Sequence, residues 1–285
     1  MIAPSDDRHR PVEHYENFPV ASWLCPPGLR RPVAAIYWFA RTADDIADEG
    51  SATVQERLQD LFTYRNDLSA CLQGNTWSGR WPQVFAPLAA AARDFALPSR
   101  PLHALLDAFE QDVRKTAAGA GYADRAELMD YCSRSANPVG RLLLHLYGVG
   151  DAQALARSDA ICSALQLINF WQDLGVDVPR GRYYLPAEDC RRHGIDPSAP
   201  GTWASHPNGP ALVAELCAWA RELMLSGAPL VHRVPGRAGW ELRLVVQGGL
   251  RILHRIERLG HRTLQSRPRI SARDVPPMLW GAARM

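Results

Sequence analysis

The sequence has no run of about 18 apolar residues, so no helix is expected to cross a membrane. Its first residues, MIAPSDDRHRPVEHYENF, carry charge where a secretory leader carries an apolar stretch, and the expectation is a cytoplasmic protein without a signal peptide. None of the six cysteines (Cys25, Cys71, Cys132, Cys162, Cys190, Cys217) forms a CxxC pair, and no histidine cluster joins them at zinc spacing. Buried free thiols in a reducing compartment are expected instead. Ser/Gly-rich linkers, low-complexity runs and fixed-period repeats are missing, which argues for one domain over residues 1–285. No GxGxxG follows a strand pattern, so nothing reads as a dinucleotide fingerprint. Alternating apolar and polar residues are nearly absent, which leaves little to build strands from.

The net charge of +2 says little about partners, but its distribution says more. The segment from His232 to Arg273 is rich in arginine and poor in acid. It reads as the solvated face of a long helix, as a surface for loose contact with an anionic membrane, or as a nucleic-acid patch. The nucleic-acid reading leaves the acidic pattern described below unexplained, and no nucleic-acid partner is expected.

What is present is helix. Apolar residues make up 47% of the chain, enough for a sizeable core. Pro32 can open a helix that runs through VAAIYWFARTADDIADEG and stops near Gly50. Residues 53–73 place Val54, Leu58, Leu61/Phe62 and Leu68 at helical spacing. Further helices are expected over 84–96, through LHALLDAFEQDVRKT, and over 124–148, 152–177, 209–225 and 238–265. Asn137-Pro138 should kink the helix over 124–148, because proline removes a backbone hydrogen bond and clashes one turn back. VPRGRYYLP reads as a loop. The class is all-α.

Two of these helices carry acids on an organised face. In Tyr37-x3-Arg41-x2-Asp44-Asp45-x2-Asp48, the residues Tyr37, Arg41, Asp44 and Asp48 fall within about 60° of one another. Val33 and Ile36 lie further back and should face the core, so the acids would continue an apolar stripe inward, where unpaired charge is costly. An exposed helix end would explain acids only at an N-terminus, and these sit at the C-terminal end, unfavourable for the macrodipole. The second pattern is Gln166-x2-Asn169-x3-Asp173-x3-Asp177, within about 80° on one face, with Leu165 and Ile168 at its borders. One acidic i,i+4 pair is weak evidence, but two in one chain are not. Hard oxygen ligands in this number suit Mg2+, which takes one or two carboxylates and completes its shell with water and phosphate. Facing acidic helices could hold Mg2+ on a substrate diphosphate, and Arg41 could add a bidentate phosphate contact. Arg180 and Arg182 follow the second acids in the PRGR loop.

At these residues the chain resembles the squalene/phytoene synthase family, the head-to-head isoprenoid synthases. AIYWFARTADDIADE and LQLINFWQDLGVDVPRGRYYLP carry the resemblance, which extends roughly from His14 to Arg273. It implies the all-α isoprenoid-synthase (terpenoid synthase) fold, a central cavity between the two acidic motifs, Mg2+, and a prenyl diphosphate substrate, either presqualene diphosphate or farnesyl diphosphate. Within the family, HYENFPVASWLCP and SRSANPVGRLLLHLYG resemble the bacterial hydroxysqualene synthases of the hopanoid pathway, which take presqualene diphosphate, remove diphosphate and let water capture the rearranged cation. A separate reductase then makes squalene, so contact with pathway enzymes is a further expectation.

Carried over position by position, the resemblance assigns metal and diphosphate binding to Asp44, Asp45, Asp48, Asn169, Asp173 and Asp177. Catalytic work falls to Asp44, Asp48, Asp173, Asp177, Tyr37 and Arg41. Substrate-lining positions are His14, Asn17, Phe18, Tyr131, Gln166 and Arg182, with Asn137 added from the proline break. Aromatic faces such as Phe18 and Tyr37 could stabilise a carbocation. The Asn137 amide, or the Arg134 carbonyl that Pro138 leaves without its donor, could hold the attacking water. Two departures stand out: Ala136-Asn137-Pro138 replaces small residues and Ser or Thr before Val-Gly, and Gln247-Gly248-Gly249 stands where some relatives have tyrosine. The competing readings are a presqualene diphosphate or phytoene-type synthase that condenses two prenyl diphosphates, and a non-catalytic assembly subunit of the same fold.

Overall fold

The first expected helix forms as α1 (Arg30–Asp48), with Pro32 in its first turn, and ends just before Gly50, whose φ of 74° few side chains accept. This computed structural model describes residues 24–285, and the candidates His14, Asn17 and Phe18 lie outside the described residues. The remaining helices are α2 (Val54–Leu72), α3 (Pro82–Phe95), α4 (Ser99–Ala118), α5 (Arg125–Ser135), α6 (Asn137–Leu146), α7 (Ala152–Asp177), α8 (Ala187–Arg192), α9 (Gly209–Gly227), α10 (Gly236–Arg258) and α11 (Val275–Arg284). No strand occurs among the described residues, in line with the all-α expectation.

Local chemistry sets several starts. Thr53 and Glu56 form a reciprocal capping box at α2, with each side chain accepting from the other's backbone N–H. The Asp124 and Asp151 carboxylates cap α5 and α7 by accepting from the N–H groups of Glu127 and Ala154.

Three expectations need correction. The kink at Pro138 is a complete break: α5 ends at Ser135 and α6 restarts at Asn137, where a proline in the first turn forfeits no helical bond. Val54 and Phe62 are exposed, because α2 turns Leu61, Tyr64, Leu68 and Cys71 inward instead. The helix expected over 238–265 stops at Arg258. Gly260 and His261 are left-handed (φ 62° and 60°), and the His261 N–H returns to the Ile256 carbonyl, which closes the helix and turns the chain back.

The buried side chains form two clusters. One joins α1 to α4 around Phe39, Tyr64, Phe85 and Leu105, and the Tyr64 hydroxyl donates to the Phe39 carbonyl at 3.0 Å. The other surrounds α7, whose Ile161, Leu167, Ile168 and Trp171 pack against Leu216, Ala220 and Met224 of α9 and Val246 and Ile252 of α10. Gly249 permits that close approach, since a Cβ there would lie 2.8 Å from the Met224 methyl. α4 and α6 contribute to both clusters: Ala108 and Leu144 join the α7 cluster, while Leu105 and Leu142 join the other. α4 and α6 therefore link the two clusters. All six cysteines are free thiols, five of them buried and Cys162 partly so.

Candidate active site

Along α1 the buried line is Ile36, Phe39, Ala43 and Ala47. Tyr37, Arg41, Asp44 and Asp48 run beside it, so the acids flank the apolar stripe rather than continue it; Ile36 is about 100° from Tyr37 around the helix. Among the described residues, Asp44, Asp45 and Asp48 form a group of acids whose carboxylate oxygens lie within 4.8 Å of one another. Arg41 holds two of them, at 3.3 Å from Asp44 and 2.6 Å from Asp45. The third, Asp48, accepts from Arg182 at 2.5 Å. Arg182 follows the second motif in sequence but reaches across to the first, because Gly181 (φ 76°) turns the loop after α7.

On α7, Gln166 and Asn169 are partly buried on the acidic face. Asp173 is gripped by both ends of the Arg267 guanidinium, at 2.5 and 2.9 Å. Arg267 was invisible to the sequence reading. It arrives because the loop after α10 is pinned to α7: the Gly175 N–H donates to the Thr263 carbonyl at 3.1 Å and the Gln172 amide to the Pro268 carbonyl at 2.8 Å. A side chain at Gly175 would meet the Thr263 and Leu264 carbonyl oxygens at 3.0 Å, so the clamp depends on glycine.

Asp112 of α4 was also missed. Its carboxylate accepts from the Tyr131 hydroxyl at 2.5 Å. In DAFEQDVRKT it reads as one of several solvated acids, and no local signal separates it from Asp107 or Glu110. Behind it the rings of Phe170 and Tyr184 stack at 3.7 Å, with Tyr131 and Tyr122 6.1 and 6.0 Å away from one or the other. Tyr37 stands apart from this group, edge-on to Trp38 at 5.2 Å. Asn137 is buried on α6, and its side-chain oxygen accepts from the Ser163 hydroxyl of α7 at 2.8 Å.

Asp44 and Asp48, Asp112, and Asp173 and Asp177 all sit in the last two turns of their helices, at the negative ends of three macrodipoles. The acids respond accordingly. Burial, then the neighbouring Asp48, pushes Asp44 up to about 7 against the pull of Arg41. Water still reaches 41% of the Asp44 side chain, so screening softens that cost. Burial also raises Asp112 to about 7, although the Tyr131 hydrogen bond and Arg182 oppose it. Asp177 is raised to about 7 by burial and by Asp173. A recess whose carboxylates resist ionisation is one that gains from an added cation.

The donor set fits Mg2+. Three carboxylates converge on α1, and Asp48 Oδ1 is buried without a hydrogen-bond partner, an open hard-oxygen ligand. Asn169, Asp173 and Asp177 offer a second oxygen set, with Asp173 held by Arg267. Because Asp44 and Asp177 titrate near 7, a metal must displace protons from them below that pH. The apparent Mg2+ affinity in the presence of pyrophosphate is therefore expected to rise about tenfold or more from pH 6 to pH 8, with proton release at the lower pH. Calorimetry in two buffers of different ionisation enthalpy measures both, and a flat profile would remove these acids from the metal site.

Comparison with known proteins places the geometry in context. A family model described as squalene/phytoene synthase matches residues 12–274. The hydroxysqualene synthase of Rhodopseudomonas palustris is 33% identical over 96% of this chain and 87% of its own length. The presqualene diphosphate synthase of the same organism is 30% identical over 82% of this chain and 81% of its own. Among solved structures, a squalene synthase from Alicyclobacillus acidocaldarius superposes with a TM-score of 0.77 at 33% identity, covering 87% of this chain and 90% of that one. A dehydrosqualene synthase shares the fold, with a TM-score of 0.76 at 22% identity.

Proposed function

The chain belongs to the squalene/phytoene synthase family, and from that membership we propose that it converts presqualene diphosphate and water to hydroxysqualene and diphosphate. The observation that carries this reading is the convergence of α1, α4 and α7: acids near their C-terminal ends, arginines bonded to those of α1 and α7, and the stacked rings of Phe170 and Tyr184, with the tilted Tyr131 ring, behind Asp112. Relatives 33% and 34% identical, over 96% and 82% of this chain, are named hydroxysqualene synthase.

The reaction breaks a carbon–oxygen bond whose electron pair leaves with diphosphate, as in a lyase, and no proton need be removed first. Arg41, Arg182 and Arg267 now neutralise carboxylates, and each can exchange its carboxylate for diphosphate oxygens. Asp44, Asp45, Asp48, Asn169, Asp173 and Asp177 would hold Mg2+, which would supply the rest of the charge neutralisation. The carbocation left behind faces the aromatic rings, which stabilise positive charge through their π faces and keep bulk water away. Tyr37, Gln166, His14, Asn17 and Phe18 complete the proposed substrate wall. One water then adds and releases one proton.

Asn137 is the proposed holder of that water, with its side-chain oxygen anchored by Ser163 and its amide free to donate. Asn137→Ala should lower the alcohol fraction of the product at least fivefold while substrate consumption changes less, as read by product chromatography. An unchanged alcohol yield sinks the assignment.

The second reading, condensation of two prenyl diphosphates, is favoured by the relative named presqualene diphosphate synthase. Feeding the purified protein with Mg2+ and either farnesyl diphosphate or presqualene diphosphate separates the two. Hydroxysqualene from presqualene diphosphate, with farnesyl diphosphate left intact, is the expected result. Conversion of farnesyl diphosphate alone would establish the second reading instead.

A further inference from the structure

The arginine-rich region not used by the acidic recess ends in α11. This helix is firmly docked on α10. Asp274, just before it, is fully buried and accepts from Arg251 at 2.5 Å and from Arg255 at 2.6 and 3.0 Å. Gly281 lies against Gln247 so closely that a Cβ would run into the amide, and the Gln247 amide donates to the Met285 sulfur at 3.2 Å.

Docked this way, α11 turns apolar side chains to solvent: Val275 is 47% exposed, Leu279 52% and Trp280 61%. The Arg284 guanidinium lies 4.3 Å over the Trp280 ring. From Arg258 to Met285 the sole acid is the buried, paired Asp274, whereas Arg258, Arg262, Arg273 and Arg284 are exposed. The same combination recurs on α10, where exposed Trp240 carries Arg243 at 5.0 Å. Trp240 falls within about 20° of Gln247 around that helix, the face on which α11 lies. An open groove of about 590 Å³ beside it adds Arg237.

We propose that α11 and the first turns of α10 form a docking face for an anionic lipid bilayer. Trp280, Leu279 and Trp240 enter the headgroup layer, and Arg273, Arg284 and Arg243 meet the lipid phosphates. Tryptophan with arginine above it suits a boundary that is apolar on one side and wet and anionic on the other. A second copy of this chain fits poorly, because a two-fold contact through this face would set arginine against arginine. A nucleic acid would not require exposed Val275 and Leu279. No helix among the described residues is long and apolar enough to cross a membrane, so the attachment is peripheral. The inference goes beyond the proposed reaction and does not depend on which prenyl diphosphate is the substrate.

The test is co-sedimentation of the full chain with vesicles of phosphatidylcholine alone or mixed with phosphatidylglycerol, at low and high salt. Binding is expected to the mixed vesicles only and to weaken with salt. The Leu279→Ser/Trp280→Ser double variant should bind about tenfold less with an unchanged melting temperature. If that variant misfolds, Arg273→Glu/Arg284→Glu, which leaves the packing of Ala282 and Gly281 alone, should show the same loss. Wild-type protein that stays in the supernatant overturns the proposal, as do folded variants that bind like wild type. A dimer that dissociates on Trp280→Ser without any lipid binding would overturn it in favour of a second copy.

Discussion

Asp44→Asn is expected to lower turnover by about a thousandfold, roughly 4 kcal/mol of barrier, and at the same time to stabilise the metal-free protein at pH 8. The two effects have one cause. Folding buries Asp44 and sets it among Asp48, Asp112 and Asp45 with Arg41 against them, so its carboxyl titrates near 7 instead of at 3.8. Between those values the folded chain binds a proton that the unfolded chain does not, and stability falls as pH rises from about 4 to 7. Asparagine cannot ionise, so its advantage is absent below about pH 4 and complete above 7. The same substitution deletes a charged ligand for the cations that balance a departing diphosphate, and turnover suffers. Thermal melts at pH 4.5 and 8 without metal, with kcat on presqualene diphosphate, measure both. Turnover within tenfold of wild type would show that Asp44 serves only the fold. Such an opposition of stability and activity is expected where a recess is shaped for a charge that the protein does not itself supply.

The sequence made α1 and α7 legible because their acids follow a local rule: a period of 3.6 residues puts Asp44 with Asp48, and Asp173 with Asp177, on one face whatever the rest of the chain does. It could not say which apolar residues those faces border, and the acids of α1 proved to flank the buried line Ile36–Phe39–Ala43–Ala47. The partners were less legible still. Arg182 finds Asp48 across 134 residues, and Arg267 finds Asp173 across 94. The second contact exists only because two left-handed residues after Arg258 end α10 seven residues short of the periodic pattern and free the loop that carries Arg267. Phe170 was hidden differently: beside Asn169 in an apolar helix it looks like any core residue, and its stacking on Tyr184 is a tertiary event. α8, with six residues, is too short for a periodic signal, and α11 spans only ten residues, two of its first three being proline.

Asp112→Asn is the second large effect, expected to cut kcat about a hundredfold with KM changed less than about threefold, because Asp112 lies beside the reacting region without holding the diphosphate itself. Asparagine keeps the shape and can still accept from the Tyr131 hydroxyl, so the substitution removes charge and little else. Tyr131→Phe should cost about tenfold, and the double variant should be no worse than Asp112→Asn alone, since the phenol acts through that carboxylate. Stability moves the other way. Burial holds Asp112 near 7, so the neutral variant melts higher than wild type above pH 7 and no higher below about pH 4. A purely structural Asp112, there to tie α4 to α5, predicts the reverse on both counts: a lower melting temperature at every pH and a kcat close to wild type. The two accounts differ in sign, and a melt and a progress curve on one variant decide between them. The catalytic account is preferred because the carboxylate has no guanidinium bonded to it, unlike buried Asp189 and Asp274, which are each clasped by two arginines. A buried acid that only braces the fold is neutralised where it sits, whereas Asp112 is left with a phenol, within electrostatic reach of Asp44 and Asp48.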